Sequence, residues 1–222
     1  MSVTIQPRPR LGRRARRDRG VALIETLLVA PVFFLLVLGI FEYGLAYRDV
    51  LTTADAVGTS ARAGAVIGPR PAPAGLNGDY VIIKTLREGL GSMPLEWVQR
   101  IVVFRAGPPS AGSPTSQVPA ACKAGTSVPG VCNVYDPLVA FGVASVAADP
   151  EAARFFTCGQ PQSTGVSCAW DPYDRNNGPT VNDIDYLGVW VRIQRPYISG
   201  LFGDTFTIEE ARIMRLEPGV LG

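Results

Sequence analysis

The run VALIETLLVAPVFFLLVLGIF, from Val21 to Phe41, constrains this chain more than any other feature. It holds 21 residues, with Glu25 its one ionisable side chain and Thr26 its other polar one. As a helix rising about 1.5 Å per residue, it covers a hydrocarbon core of about 30 Å. A buried core helix does not need such uniform apolarity. The stretch is therefore predicted to be a transmembrane helix over 21–41. The flanking charge sets its direction. Residues 1–20 carry seven Arg and one Asp, whereas the rest of the chain carries 14 basic and 18 acidic residues. Basic residues beside a span stay in the cytoplasm. This predicts a single-pass protein of the cytoplasmic membrane, with a cytoplasmic basic leader at 1–20 and an extracytoplasmic C-terminal domain. Membrane lipid is an expected partner. Nucleic acid is not, because the basic charge is confined to the tail.

Glu25 needs an explanation. A carboxylate inside an apolar span costs about 2.5–3.5 kcal/mol on insertion scales, so it calls for a partner. One reading is a side chain near the cytoplasmic interface that snorkels or stays protonated. Another is cleavage after Gly20, which would create a charged amine on Val21, one helical turn from Glu25. Cleavage after the apolar stretch fits poorly, since the stretch is too long for a signal peptide and GIFEYGLAYRD after it is a poor leader-peptidase site. The pairs Arg13-Arg14 and Arg16-Arg17 are expected by chance in so Arg-rich a tail, and do not argue for twin-arginine export.

The segment RDRGVALIETLLVAPVFFLLVLGIFEYG resembles the prepilin signal of type IV pilins and pseudopilins. More specifically, it resembles the start of TadE/TadG-like proteins, the pilin-like minor proteins of tight-adherence (Flp) pilus systems. Their pattern is Gly, a few small residues, Glu, an apolar segment with an internal Pro, then Gly-Ile-x-Glu-aromatic-Gly. Here those positions are Gly20, Glu25, Pro31, Gly39, Ile40, Glu42, Tyr43 and Gly44. The resemblance implies removal of residues 1–20 by a membrane-embedded aspartic prepilin peptidase, with Gly20, Val21 and Glu25 at the processing site. It also implies other Tad/Flp pilus components and pilin helices as partners. Pro31, Gly39, Glu42 and Gly44 then become candidate helix-kink or packing positions. Pro31 removes a backbone hydrogen bond, and either shapes packing or is simply tolerated.

Residues 42–67 are expected to continue the helix outside the membrane. Tyr43, Tyr47, Val50, Leu51, Ala54, Val57, Gly58 and Ala61 recur at spacings of three and four, and predict the face that meets the domain. Residues 68–222 are expected to form the pilin-like ectodomain. Tyr80–Leu90 suits a second helix, Trp97–Phe104 a strand and Pro150–Phe156 a helical piece. Residues 106–121, with four Pro, read as a flexible loop. Asp171–Asp185 reads as an acidic, exposed turn region. Leu187, Val189, Val191 and Ile193 alternate with Gly188, Trp190, Arg192 and Gln194, a half-buried strand. Thr205–Leu216 suits its returning partner, an ending that also resembles TadE-like proteins. The expected fold is α+β: a long N-terminal transmembrane helix continuing into a small ectodomain with an antiparallel sheet of about three strands and disulfide-closed loops.

Four cysteines, Cys122, Cys132, Cys158 and Cys168, fall in Gly/Pro-rich loops with no C-x-x-C among them. That spacing is wrong for zinc ribbons and suits two disulfides in an oxidising compartment. Of three possible connectivities, the neighbouring pairs are expected. The chain has no His, which excludes Ser-His-Asp and Cys-His catalysis and His-ligated metals. Carboxylates in 171–185 lack the common calcium-loop spacing. No catalytic residue, cofactor or metal is expected, and the chain is not expected to be an enzyme. The expected function is a pilin-like minor component of pilus assembly. The alternative is a permanently anchored binding module, for which Trp97, Trp170 and Trp190 would supply a contact surface, although core roles are the expectation for these rings.

Overall fold

A computed structural model describes residues 14–69, 77–91, 93–107, 117–144, 155–158, 166–178 and 184–218. The chain divides into two compact units, Met1–Leu45 and Ala46–Gly222. Helix α1 runs Arg14–Ile67 and contains Pro31. It starts inside the basic leader, at Arg14. Arg is a good helix former, and no Pro follows Pro9 until Pro31.

In the Ala46–Gly222 unit, α1 is followed by α2 (Gly78–Gly89), β1 (Val98–Ala106), α3 (Ala120–Ala124), β2 (Cys132–Tyr135), α4 (Pro137–Ala144), β3 (Val166–Ser167), β4 (Tyr186–Pro196) and β5 (Thr205–Arg215). The fold is α+β. Its antiparallel sheet has five strands in the order β3-β2-β1-β4-β5, two more than expected. The extra pair, β2 and β3, are the shortest strands. Residues 108–116, most of the expected 106–121 loop, lie outside the described residues, and Ala120–Ala124 after them is helical. Most of Pro150–Phe156 also lies outside them.

One face of the sheet carries the main core. Ile101 and Val103 of β1 and Leu187, Val189, Val191 and Ile193 of β4 pack against Ala56, Val57, Ala61 and Ala65 of α1, with Ile82, Ile83 and Leu86 of α2 and Phe141 of α4. A side-chain carbon on Gly64 would lie 2.4 Å from Ile82 and 3.0 Å from Leu187, so a glycine is what lets α1 approach this closely. Asn77 caps α2 by accepting a 2.8 Å hydrogen bond from the Tyr80 amide.

The other face is covered as well. Val102, Phe104, Val134 and Trp190 pack with Val118 and the Cys122–Cys132 disulfide. β4 is thus buried on both faces, not half-buried as its alternation suggested, and Trp190 is 1 % exposed. The disulfide loop supplies the cover. A glycine at 188 makes room for the Phe104 ring, 2.2 Å from where a Cβ would sit.

The helix face that packs is the expected one only in part: Val57 and Ala61 are buried and Val50 packs against the core, but the face is rotated away from the rings. Tyr43, Tyr47 and Leu51 are exposed, while Ala46, Asp49, Thr53, Ala56, Val57, Ser60, Ala61 and Ala65 are buried. The smallest side chains face inward because rings would hold the helix off its neighbours. The polar ones among them are satisfied. Thr53 donates to the Asp49 carbonyl at 2.7 Å, Ser60 donates to the Val57 carbonyl at 2.9 Å, and the Asp49 carboxylate pairs with Arg195 at 2.6 Å.

Candidate functional site

The first unit presents α1 with its apolar side chains uncovered. Fourteen large apolar residues between Val21 and Phe41 are exposed, Leu23, Leu27 and Ile40 by more than 70 %. Full burial of one such side chain is favourable by about 1.5–3 kcal/mol, so water is the wrong surrounding for this surface. The described helix from Gly20 to Ile67 is long and apolar enough to cross a membrane, and none of its most apolar window is buried.

Gly20, Val21 and Glu25 all lie on this helix and are exposed. Val21 and Glu25 are four residues apart, which places them on one face about 6 Å apart along the axis. Glu25 borders a shallow groove with Ala22, Thr26, Val29, Ala30 and Phe33. Ala22, Thr26 and Ala30 recur every four residues, a small-residue ladder of the kind that lets membrane helices approach. That ladder was readable in the sequence and was missed. Thr26 returns its hydroxyl to the Ala22 carbonyl at 2.8 Å, which leaves Glu25 as the charged group of the groove. Pro31 has no N–H to offer the Leu27 carbonyl. Gly39 is half-buried, Glu42 is buried, and Gly44 has open space around its Cα.

Polar clusters in the second unit serve the fold. Asp79 is fully buried and accepts hydrogen bonds from Tyr135 Oη at 2.5 Å, from Asn133 Nδ2 at 2.8 Å and from Arg175, whose guanidinium lies 4.3 Å from the Trp170 ring centre. Burial, and then the Asp79 charge, push the Tyr135 phenol well above its ordinary pKa. Asn133 also accepts from the Ala169 and Trp170 amides, both at 2.7 Å. The network ties α2 to β2 and to the 169–175 loop.

Of the Asp171–Asp185 region, residues 179–183 lie outside the described residues, and the rest is less exposed than expected. Arg175 and Asp185 are 3 % and 7 % exposed. Asp185 accepts 2.8 Å hydrogen bonds from Arg105 Nε and the Asn176 amide. Asp171 accepts from the Tyr173 amide at 2.9 Å and the Cys158 amide at 3.2 Å. These carboxylates hold loops in place. Asp171 also lies beside Cys158 and Cys168, but those two sulfurs are bonded to each other. Both disulfides follow the neighbouring pairing. Trp170 and Trp190 are buried in the core roles expected of them, which removes two of the three rings from the contact surface that a binding module would use.

Gly20, Glu25 and Pro31 thus all stand on the exposed, apolar part of α1. Residues 20–62 match the model of the TadE-like protein family. No curated protein and no solved structure is significantly similar to the chain. The TadE-like segment lies wholly within α1. It takes in Gly20, Val21, Glu25, Pro31, Gly39, Glu42 and Gly44, and ends before α2 and the sheet begin.

Proposed function

We propose that this chain is a membrane-anchored, pilin-like minor component in the assembly of a tight-adherence (Flp) pilus. It acts by helix packing and protein–protein contacts. The observation that carries this reading is the coincidence of the TadE-like match with an uncovered apolar helix bearing Glu25. Residues 1–20 are a cytoplasmic leader removed by a prepilin peptidase after Gly20. Val21 then begins the mature chain, and its new ammonium neutralises Glu25 in the same helix or in a neighbouring one. Residues 21–41 cross the cytoplasmic membrane, and the C-terminal unit stands outside it. Helix association in lipid gains little from hydrophobicity, so the Glu25 charge and the small residues beside it supply specificity toward other pilus helices.

N-terminal sequencing of the membrane-bound protein, together with a Glu25→Val strain, tests this. The expected results are a first residue of Val21 and a loss of piliation and surface adhesion in the variant. A start at Met1 or Ser2 removes the processing step. Normal piliation with Glu25→Val favours the permanently anchored binding module.

A further inference from the structure

Exposed large apolar side chains in the Ala46–Gly222 unit gather at one end. Among the described residues there are seven, and five of them, Tyr47, Leu51, Ile198, Leu201 and Phe202, lie where the chain enters the unit. Two contacts define that end. Leu187, near the start of β4, packs against Gly64 of α1. Arg195, near its finish, pairs with Asp49 at 2.6 Å. β4 therefore runs back along the helix toward the entry point, and the turn that follows projects at that end. The Tyr197 amide closes the turn on the Asp204 carbonyl at 3.1 Å. Gly200 and Gly203 hold φ of +65° and +115°, conformations that other residues rarely adopt. The turn leaves Ile198 73 %, Leu201 55 % and Phe202 42 % exposed. Asp204 is the one charged residue in Tyr197–Asp204.

We propose that the β4–β5 hairpin tip is a second lipid-contact site. Ile198, Leu201 and Phe202 enter the boundary between headgroups and acyl chains of the bilayer. This rests on the reading of residues 21–41 as a membrane span. Ala46 stands five positions after Phe41, and even a fully extended chain over five steps reaches about 18 Å at most. Ala46, where the chain enters the unit, is thereby held within that distance of the end of the span. Aromatic and large apolar side chains at the bilayer interface are stabilised there. A second copy of the chain or a partner protein covering the same tip is the competing outcome.

The full chain is reconstituted in vesicles of phosphatidylcholine and phosphatidylglycerol, with part of the phosphatidylcholine spin-labelled near the headgroup. Phe202→Trp and, separately, Leu201→Trp add a reporter to the tip, and Leu138→Trp adds one at an exposed position on α4. The emission added at 201 or 202 is expected to shift to the blue and to lose most of its intensity to the spin label, while that at 138 keeps its intensity. Vesicle flotation is read on the same samples. A chain that floats with unquenched tip reporters overturns the lipid contact and leaves the anchor standing. A blue-shifted but unquenched reporter means that protein covers the tip, and overturns it too. A chain that fails to float takes both readings down.

Discussion

Arg175 carries its charge with a side chain 1 % exposed, opposite an Asp79 side chain that is 0 % exposed. Taking two ions out of water is costly, and the pair is tolerable because Asn133 and Tyr135 also donate to Asp79. Removing one member is worse than removing both. Asp79→Ala strands a buried guanidinium and is expected to lower stability by about 3–5 kcal/mol. Asp79→Leu combined with Arg175→Met is expected to lose less. Denaturant unfolding followed by tryptophan emission separates the cases, since Arg175 lies against Trp170. A loss below about 1 kcal/mol for Asp79→Ala would be that of a solvated surface pair, and would sink the account. Nothing local in the sequence announces this pair. Asp79 reads as an ordinary acidic residue in a first helical turn, and its partner stands 96 positions away.

The elements differ in what holds them. Both disulfides close loops of the same length, ten positions, so chain entropy alone gives them equal weight. Packing does not. Cys122 and Cys132 are both fully buried beside Trp190 on the far face of the sheet, whereas Cys158 and Cys168 are half-buried. Replacing Cys122 and Cys132 together by Ala is expected to cost about 2–5 kcal/mol, lower the melting temperature more than the Cys158/Cys168 double replacement, and shift Trp190 emission to the red. Equal losses would mean that the Cys122–Cys132 loop is not the lid of that face. This lid also explains which elements were legible. β1, β4, β5 and α2 announce themselves by periodicity within one segment. β2 and β3 are four and two residues long, too short to show a period. The far face depends on a disulfide loop reaching over β4, which alternation in β4 does not encode. The candidate site was legible because Gly20, Glu25 and Pro31 are neighbours in the chain. The packed face of α1 was legible only at Val50, Val57 and Ala61, because Asp49, Thr53 and Ser60 look solvent-facing until their partners are known.

At the scale of the molecule, the two units solve opposite problems. The Ala46–Gly222 unit closes two clusters of its own, one on each face of its sheet. The Met1–Leu45 unit has an apolar helix whose large side chains between Val21 and Phe41 remain uncovered. A long apolar span is uncovered by design only where lipid or other helices supply the missing contacts. The consequence is a clean division on cutting the chain. A protein of residues 42–222 is expected in the soluble fraction of a lysate without detergent, with both disulfides formed in an oxidising compartment and the near-ultraviolet circular dichroism of the full-length protein. The full chain is expected in the membrane fraction and to resist an alkaline carbonate wash, because apolar helix–lipid contacts do not titrate. If carbonate releases the full chain, Val21–Phe41 does not cross a bilayer, and its exposed side chains must be covered by another protein. If instead the shortened chain aggregates, the sheet unit needs the helix before it, and the division into two self-sufficient parts is wrong.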